Sequence, residues 1–112
     1  MNQLSLQARI LEMGALRHTP AGMPVLDLIL THESEVIEAG LPRLVQMTIP
    51  AKAIGQWGQK LASLPLGAEM RVRGFLAPTR KNSSRLVLHI QQVQFPGEAN
   101  TTDPSPSPGI LA

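Results

Sequence analysis

Apolar and polar side chains alternate with a period of two over much of the chain. Leu4, Leu6, Ala8 and Ile10 fall on one face, with Ser5, Gln7 and Arg9 opposite. This predicts a half-buried strand ending near Gly14. Residues Met23 to Glu33 predict a second strand, with Leu26, Leu28 and Leu30 on one side and Val25, Asp27, Ile29 and Thr31 on the other. A third runs from Arg43 to Ile49, where Val45, Met47 and Ile49 oppose Leu44, Gln46 and Thr48. Pro50 cannot donate to a ladder and predicts the end of that strand. The segment between the second and third strands carries Glu33, Glu35 and Glu38 and reads as a polar loop.

The period changes over residues 51–64. Ile54, Trp57, Leu61 and Leu64 are spaced 3, 4 and 3 apart, as on one helical face. Pro50 suits a first helical turn. Gly55 and Gly58 weaken a helix by about 1 kcal/mol each relative to Ala. The predicted helix therefore depends on packing against the sheet, and Trp57 is read as a core residue. Pro65 and Gly67 mark a turn. Glu69 to Ala77 predicts a fourth strand, with Met70, Val72, Gly74 and Leu76 opposed to Glu69, Arg71, Arg73 and Phe75. A glycine inside a strand points to a bulge or tight bend at Gly74. After a polar loop, Arg85 to Phe95 predicts a fifth strand. Its apolar face starts at Leu86, Leu88 and Ile90 and shifts to Val93 and Phe95, so a kink is expected near Gln91. Three strands, a short helix and two more strands give an all-β chain. The expected architecture is a five-stranded Greek-key OB-fold barrel with one short helix between strands 3 and 4.

The chain has 112 residues, of which 43% are hydrophobic, enough for one small core. That core is assigned to residues 1–96. Residues 97–112 are rich in Pro and Ser and are expected to be a disordered tail. The absence of cysteine excludes disulfides, thiolate metal sites and a cysteine nucleophile. The longest nearly apolar run, Val25 to Leu30, is interrupted by Asp27 and falls far short of the roughly 20 residues of a membrane helix. With no signal-peptide pattern at its start, the chain is expected to be soluble and intracellular.

Net charge is only +2, but it is unevenly distributed. Residues 1–50 carry three cations against five anions, whereas residues 51–96 carry seven cations against the single anion Glu69. Such a block favours a polyanionic partner, nucleic acid foremost. No phosphate-binding loop, dinucleotide fingerprint, HExxH or GxSxG occurs, so neither an enzyme nor a cofactor is implied. His18, His32 and His89 lie in separate segments without metal-ligand spacing, and no metal site is expected. The three glutamates of the polar loop read as hydrated surface charges. What remains is the loop Thr79-Arg80-Lys81-Asn82-Ser83-Ser84-Arg85. Arg80, Lys81 and Arg85 can reach a phosphate backbone, and Asn82 and Ser83 can donate to phosphate or sugar oxygens. Arg71 and Arg73 share a strand face with Phe75, either as a single-strand platform or as edge cations beside a core ring. Trp57, Phe75 and Phe95 are the whole aromatic supply, so binding is expected to rest on ion pairing and to weaken steeply with salt.

Four stretches resemble the PriB family, primosomal replication protein N. They are Thr19-Pro20-Ala21-Gly22-Met23-Pro24 leading into Val25–Leu30 and His32-Glu33; Glu38-Ala39-Gly40; Gly74-Phe75-Leu76; and Leu86-Val87-Leu88-His89-Ile90-Gln91. The resemblance spans about residues 3–95. It implies an OB-fold homodimer that binds single-stranded DNA without sequence preference. It also implies a cytoplasmic role at stalled bacterial replication forks, beside the PriA helicase and, in some bacteria, DnaT. On the same resemblance the loop before the last strand contacts DNA through Arg80, Lys81 and Arg85, and a first-loop cation maps onto Arg17. Leu41, Leu44 and Val45 stand where family members can carry aromatics, and Glu33 where a cation can occur. These departures leave an alternative open: a protein–protein adaptor of the replication machinery with little DNA affinity.

Overall fold

The computed structural model describes residues 1–96. The expected Pro/Ser tail, 97–112, lies outside the described residues. Six strands and one helix follow in the order β1 (Leu4–Met13), β2 (Arg17–His18), β3 (Pro24–Glu38), β4 (Leu41–Ile54), α1 (Gln56–Leu61), β5 (Glu69–Pro78) and β6 (Leu86–Gln94). The sheet order is β1-β5-β6-β4-β3-β2, and β1 also pairs with β3. That extra pairing closes β1, β5, β6, β4 and β3 into a five-stranded barrel. The two-residue β2 is an appendage on β3. All pairings are antiparallel except β4–β6, which joins Ala51, Lys52 and Ala53 to Leu88, His89 and Ile90 in parallel. Among the described residues no helix is long and apolar enough to cross a membrane.

The inward faces of the alternating strands fill the barrel. Ile10, Leu26, Leu30, Met70, Val72 and Leu88 are fully buried side chains, joined by Leu61 from the helix. The strand faces read from the sequence are therefore those of the barrel wall. The kink expected near Gln91 is a bulge: Arg73 pairs with Gln92 and Gly74 with Ile90, leaving Gln91 without a partner in the register. This extra residue restores the inward face, so Val93 is buried on the same core as Ile90. Gly74 is needed there. A Cβ on it would overlap the carbonyl oxygen of His89 on the neighbouring strand.

Three local expectations need correction. First, β4 does not stop at Pro50 but continues to Ile54. Pro50 pairs with Ile29 on β3, and β6 joins β4 only from Ala51 onward. On its other side Pro50 therefore faces an edge, where a missing N–H costs no ladder bond. Second, the helix is shorter than its 3-4-3 spacing predicts. Residues 51–54 are strand, Ile54 is exposed, and the first turn starts after Gly55 at φ 90°. Gly58 is not a defect in this helix: its α-carbon lies so close to Ala53 that a Cβ would stand 2.7 Å from that carbonyl oxygen. Third, the segment with Glu33, Glu35 and Glu38 is not a loop. β3 and β4 remain paired out to Glu38 and Leu41, joined by a two-residue turn at Ala39 (φ 53°) and Gly40 (φ 81°). Positive φ at both positions is the hairpin geometry that matches strand twist. The outer part of this hairpin projects beyond the barrel as an arm.

The arm begins where β1 ends its pairing with β3 at Arg9–Thr31. His32 finishes that ladder with its side chain, donating from Nδ1 to the Gln7 carbonyl at 2.6 Å while Nε2 meets Ser34 Oγ at 2.8 Å.

The close approach at Gly74 sets a test of this architecture. Gly74→Ala is expected to lower unfolding free energy by about 3 kcal/mol, at the upper end of overpacking costs. Gly14→Ala, whose Cβ would meet only ordinary contacts at 3.5 and 3.9 Å, is expected to stay within about 0.5 kcal/mol of the parent. Urea denaturation of both variants makes the comparison.

Candidate nucleic-acid interface

The outward residues of the barrel form a row across four strands. Asp27 pairs with Lys52, Lys52 with His89, and His89 with Phe75, so β3, β4, β6 and β5 each contribute one side chain. At the usual strand spacing the row is about 14 Å long. At its Phe75 end two rings stack: the Phe75 and His89 centroids lie 4.8 Å apart with planes 6° from parallel. Phe75 is half-buried and does not pack on the core cluster. Of the two readings of this ring, the structure places it on the outer face. Arg71 and Arg73 continue that face along β5, where Arg73 Nη1 donates to Gln92 Oε1 at 3.5 Å.

Trp57 keeps its expected contact with the core but not full burial, and Lys60 Nζ sits 4.9 Å from its ring centroid. Together with Lys52, Ile54, Phe75 and His89 it lines an open groove of about 340 Å³ between α1 and the barrel wall. Sequence reasoning did not find Lys52 or His89 as site residues. Their meeting with Phe75 depends on the bulge at Gln91, which the alternation marks, and on the parallel β4–β6 pairing, which leaves no mark in it.

The loop 79–85 is a built turn. Thr79 N–H donates to the Arg85 carbonyl at 2.9 Å and Ser83 N–H to the Arg80 carbonyl at 3.0 Å. Ser83 Oγ accepts from Thr79 Oγ1 and from the Arg85 N–H. Asn82 takes a φ of 64°, a left-handed conformation that Asn tolerates better than most residues. Asn82 and Ser83 thus shape the loop, while Arg80, Lys81 and Arg85 line its concave side with them.

Ion pairing divides the cations into two groups. Arg9 faces Glu69 at 3.8 Å and Arg43 meets Glu38 at 2.6 Å. Arg17 holds Asp27 at 2.9 Å, and Lys52 reaches the other oxygen of Asp27 at 3.9 Å. Among the described residues, Arg71, Arg73, Arg80, Lys81 and Arg85 form no ion pair. Apart from Lys60 on α1, which lies over the Trp57 ring, the unneutralised Lys and Arg charge of the described residues is gathered on the β5–β6 hairpin. Arg17, expected at the interface, already has an anion. Of the glutamates read as hydrated loop charges, Glu33 accepts from Gln46 across the arm and Glu38 pairs with Arg43. Among the described residues no group of three or more His, Asp or Glu is placed to hold a metal ion.

A family described as "another single-strand binding protein family" matches residues 2–92. The replication restart protein PriB of Bordetella pertussis is 60% identical over 94 residues, which cover 84% of this chain and 88% of the relative. The chain belongs to the PriB family. PriB of Neisseria meningitidis serogroup B is 42% identical over 93 residues, covering 83% of this chain and 92% of that one. The crystal structure of PriB from Ralstonia solanacearum superposes with a TM-score of 0.77 at 33% identity, over 85% of this chain and 97% of that chain. A single-stranded DNA-binding protein from Thermus aquaticus shares the fold alone, with a TM-score of 0.66 at 22% identity over 84% of this chain and 49% of that chain. In this PriB-family chain the OB-fold and its single short helix are as the alternation and the resemblance implied.

Burial holds the His89 imidazole below its ordinary value of 6.5, and the nearby Lys52 ammonium lowers it further. The ring is thus mainly neutral at pH 7. Because the folded state disfavours the charged ring, His89 contributes stability above pH 6.5 that is lost as the pH falls through its folded value. An NMR titration of the His89 ring is expected to give a midpoint below 6.5. In Lys52→Gln the midpoint should rise only part of the way back, because burial is the larger cause.

Proposed function

We propose that this chain binds single-stranded DNA without sequence preference, as an accessory protein of the replication-restart primosome. The carrying observation is the set of ion-pair-free cations on the β5–β6 hairpin. A phosphate chain meeting Arg80, Lys81 and Arg85 displaces no intramolecular partner and releases its own counterions. Arg71, Arg73 and Phe75 extend that surface along β5. Asn82 holds the loop open for it, and Arg17 joins when a phosphate replaces Asp27. In this reading the protein acts in the cytoplasm at stalled forks and stabilises the PriA helicase on DNA, with DnaT as a further partner in some bacteria. It performs no catalysis and needs no cofactor.

The arm supports a second element of the reading. Val36, Ile37, Leu41, Leu44 and Met47 are exposed on it, and Ile37 and Leu41 retain 69% of their accessible surface. The register puts Val36, Leu41 and Met47 on one face of the arm and Ile37 and Leu44 on the other, and exposed apolar surface of this kind marks a protein contact. We assign it to homodimerisation. The adaptor alternative uses the same surface and differs in requiring little affinity for DNA.

Two measurements follow. In Arg80→Ala/Lys81→Ala/Arg85→Ala, oligo-dT binding by fluorescence anisotropy is expected to weaken, and the slope of log affinity against log salt to fall by about 2, as for three lost contacts to a single strand. An unchanged slope would remove the loop from the interface. In Ile37→Glu/Leu41→Glu, sedimentation is expected to show a monomer at micromolar concentration where the parent is a dimer. A parent that is itself monomeric would leave the arm to another partner.

A further inference from the structure

The groove between α1 and the barrel wall is chemically unlike the loop 79–85. Its lining combines Ile54, Trp57 and the stacked Phe75–His89 rings with one ammonium, Lys52. We propose that this groove is a nucleobase-stacking site, where one unpaired base of the bound strand packs against the Phe75–His89 rings beside Trp57. This rests on the single-stranded DNA reading above and adds a base-contacting component to a surface otherwise read as electrostatic.

Three observations select a base over other occupants. The groove lies along the path of the charge. Phe75 is three residues from the end of β5, so about 10 Å of strand separates it from the loop. Arg73 and Arg71 lie beyond it on the same face. A strand laid along the hairpin therefore passes cations on both sides of the groove. Next, the rings are presented as a platform. Phe75 stands off the core and Gly74 holds its strand against the His89 backbone, so the pair is set by the barrel and needs no ordering when a flat ring joins the stack. Finally, the polar groups suit a heterocycle. A neutral imidazole offers one donor and one acceptor, the complement of a base edge. Lys52, already within 3.9 Å of Asp27, supplies a single cation where a dedicated phosphate site would gather several.

Trp57 is the only tryptophan and the chain has no tyrosine, so emission excited at long wavelength reports this groove alone. Full-length protein is titrated with a fluorescently labelled oligo-dT and with an abasic strand of equal length, reading anisotropy for binding and Trp57 emission, on unlabelled strands, for the groove. Both strands are expected to bind at low salt, but only oligo-dT should quench Trp57. Phe75→Leu is expected to bind oligo-dT about tenfold more weakly, within the range of one lost stack, with an unchanged salt slope. His89→Asn, at a half-buried outer position, gives the same test should the leucine variant fold poorly, and circular dichroism checks both. Oligo-dT binding with no Trp57 response, or equal quenching by the abasic strand, overturns the groove and leaves the DNA-binding reading intact. No binding of either strand at low salt overturns both.

Discussion

One contact without room for a side chain governs this molecule. β6 crosses β5 so closely at Gly74 that only a hydrogen fits beneath the His89 carbonyl. The bulge at Gln91 lets the two strands stay in register around that point. Because they do, β6 reaches β4 and the three-residue parallel ladder closes the barrel. The same closure sets Lys52, His89 and Phe75 side by side on the outside. The requirement that packs the core thus also builds the outer row, and the two cannot be altered independently.

Charge is arranged on a different principle. The acidic first half contributes carboxylates that neutralise its own arginines, Arg17 by Asp27 and Arg43 by Glu38. The β5–β6 hairpin receives no such partners from the described residues. Exposed ion pairs add little stability, so the pairing matters less for holding the fold than for deciding where positive potential survives. What survives lies mainly on that hairpin, with aromatic rings set into its flank.

Much of the barrel was legible in the sequence because its strands bury one face only. Leu4, Leu6, Ala8 and Ile10, or Met70, Val72 and Gly74, alternate for that reason, and the slip of phase from Ile90 to Val93 marked the bulge. The arm was illegible for the converse reason: neither of its faces is buried, so Glu33 to Glu38 carry no period. Ile54 misled because a strand end and a helix start can share one spacing by chance. Pro50 misled because its consequence depends on whether a second strand lies alongside, a matter of tertiary neighbours. The basic loop was visible as composition. The groove was not, since Trp57, Phe75, His89 and Lys52 come from four elements and meet only through register.

The pairing of Arg17 with Asp27 has a kinetic meaning. Asp27 is a carboxylate that can never diffuse away from its guanidinium, whereas a DNA phosphate can. Any strand occupying Arg17 competes with a tethered rival at fixed, high local concentration. Whenever such a phosphate lifted off, Asp27 would stand 2.9 Å from the arginine to replace it. At Arg17 a phosphate would thus be held less firmly than at the unpaired cations of the β5–β6 hairpin.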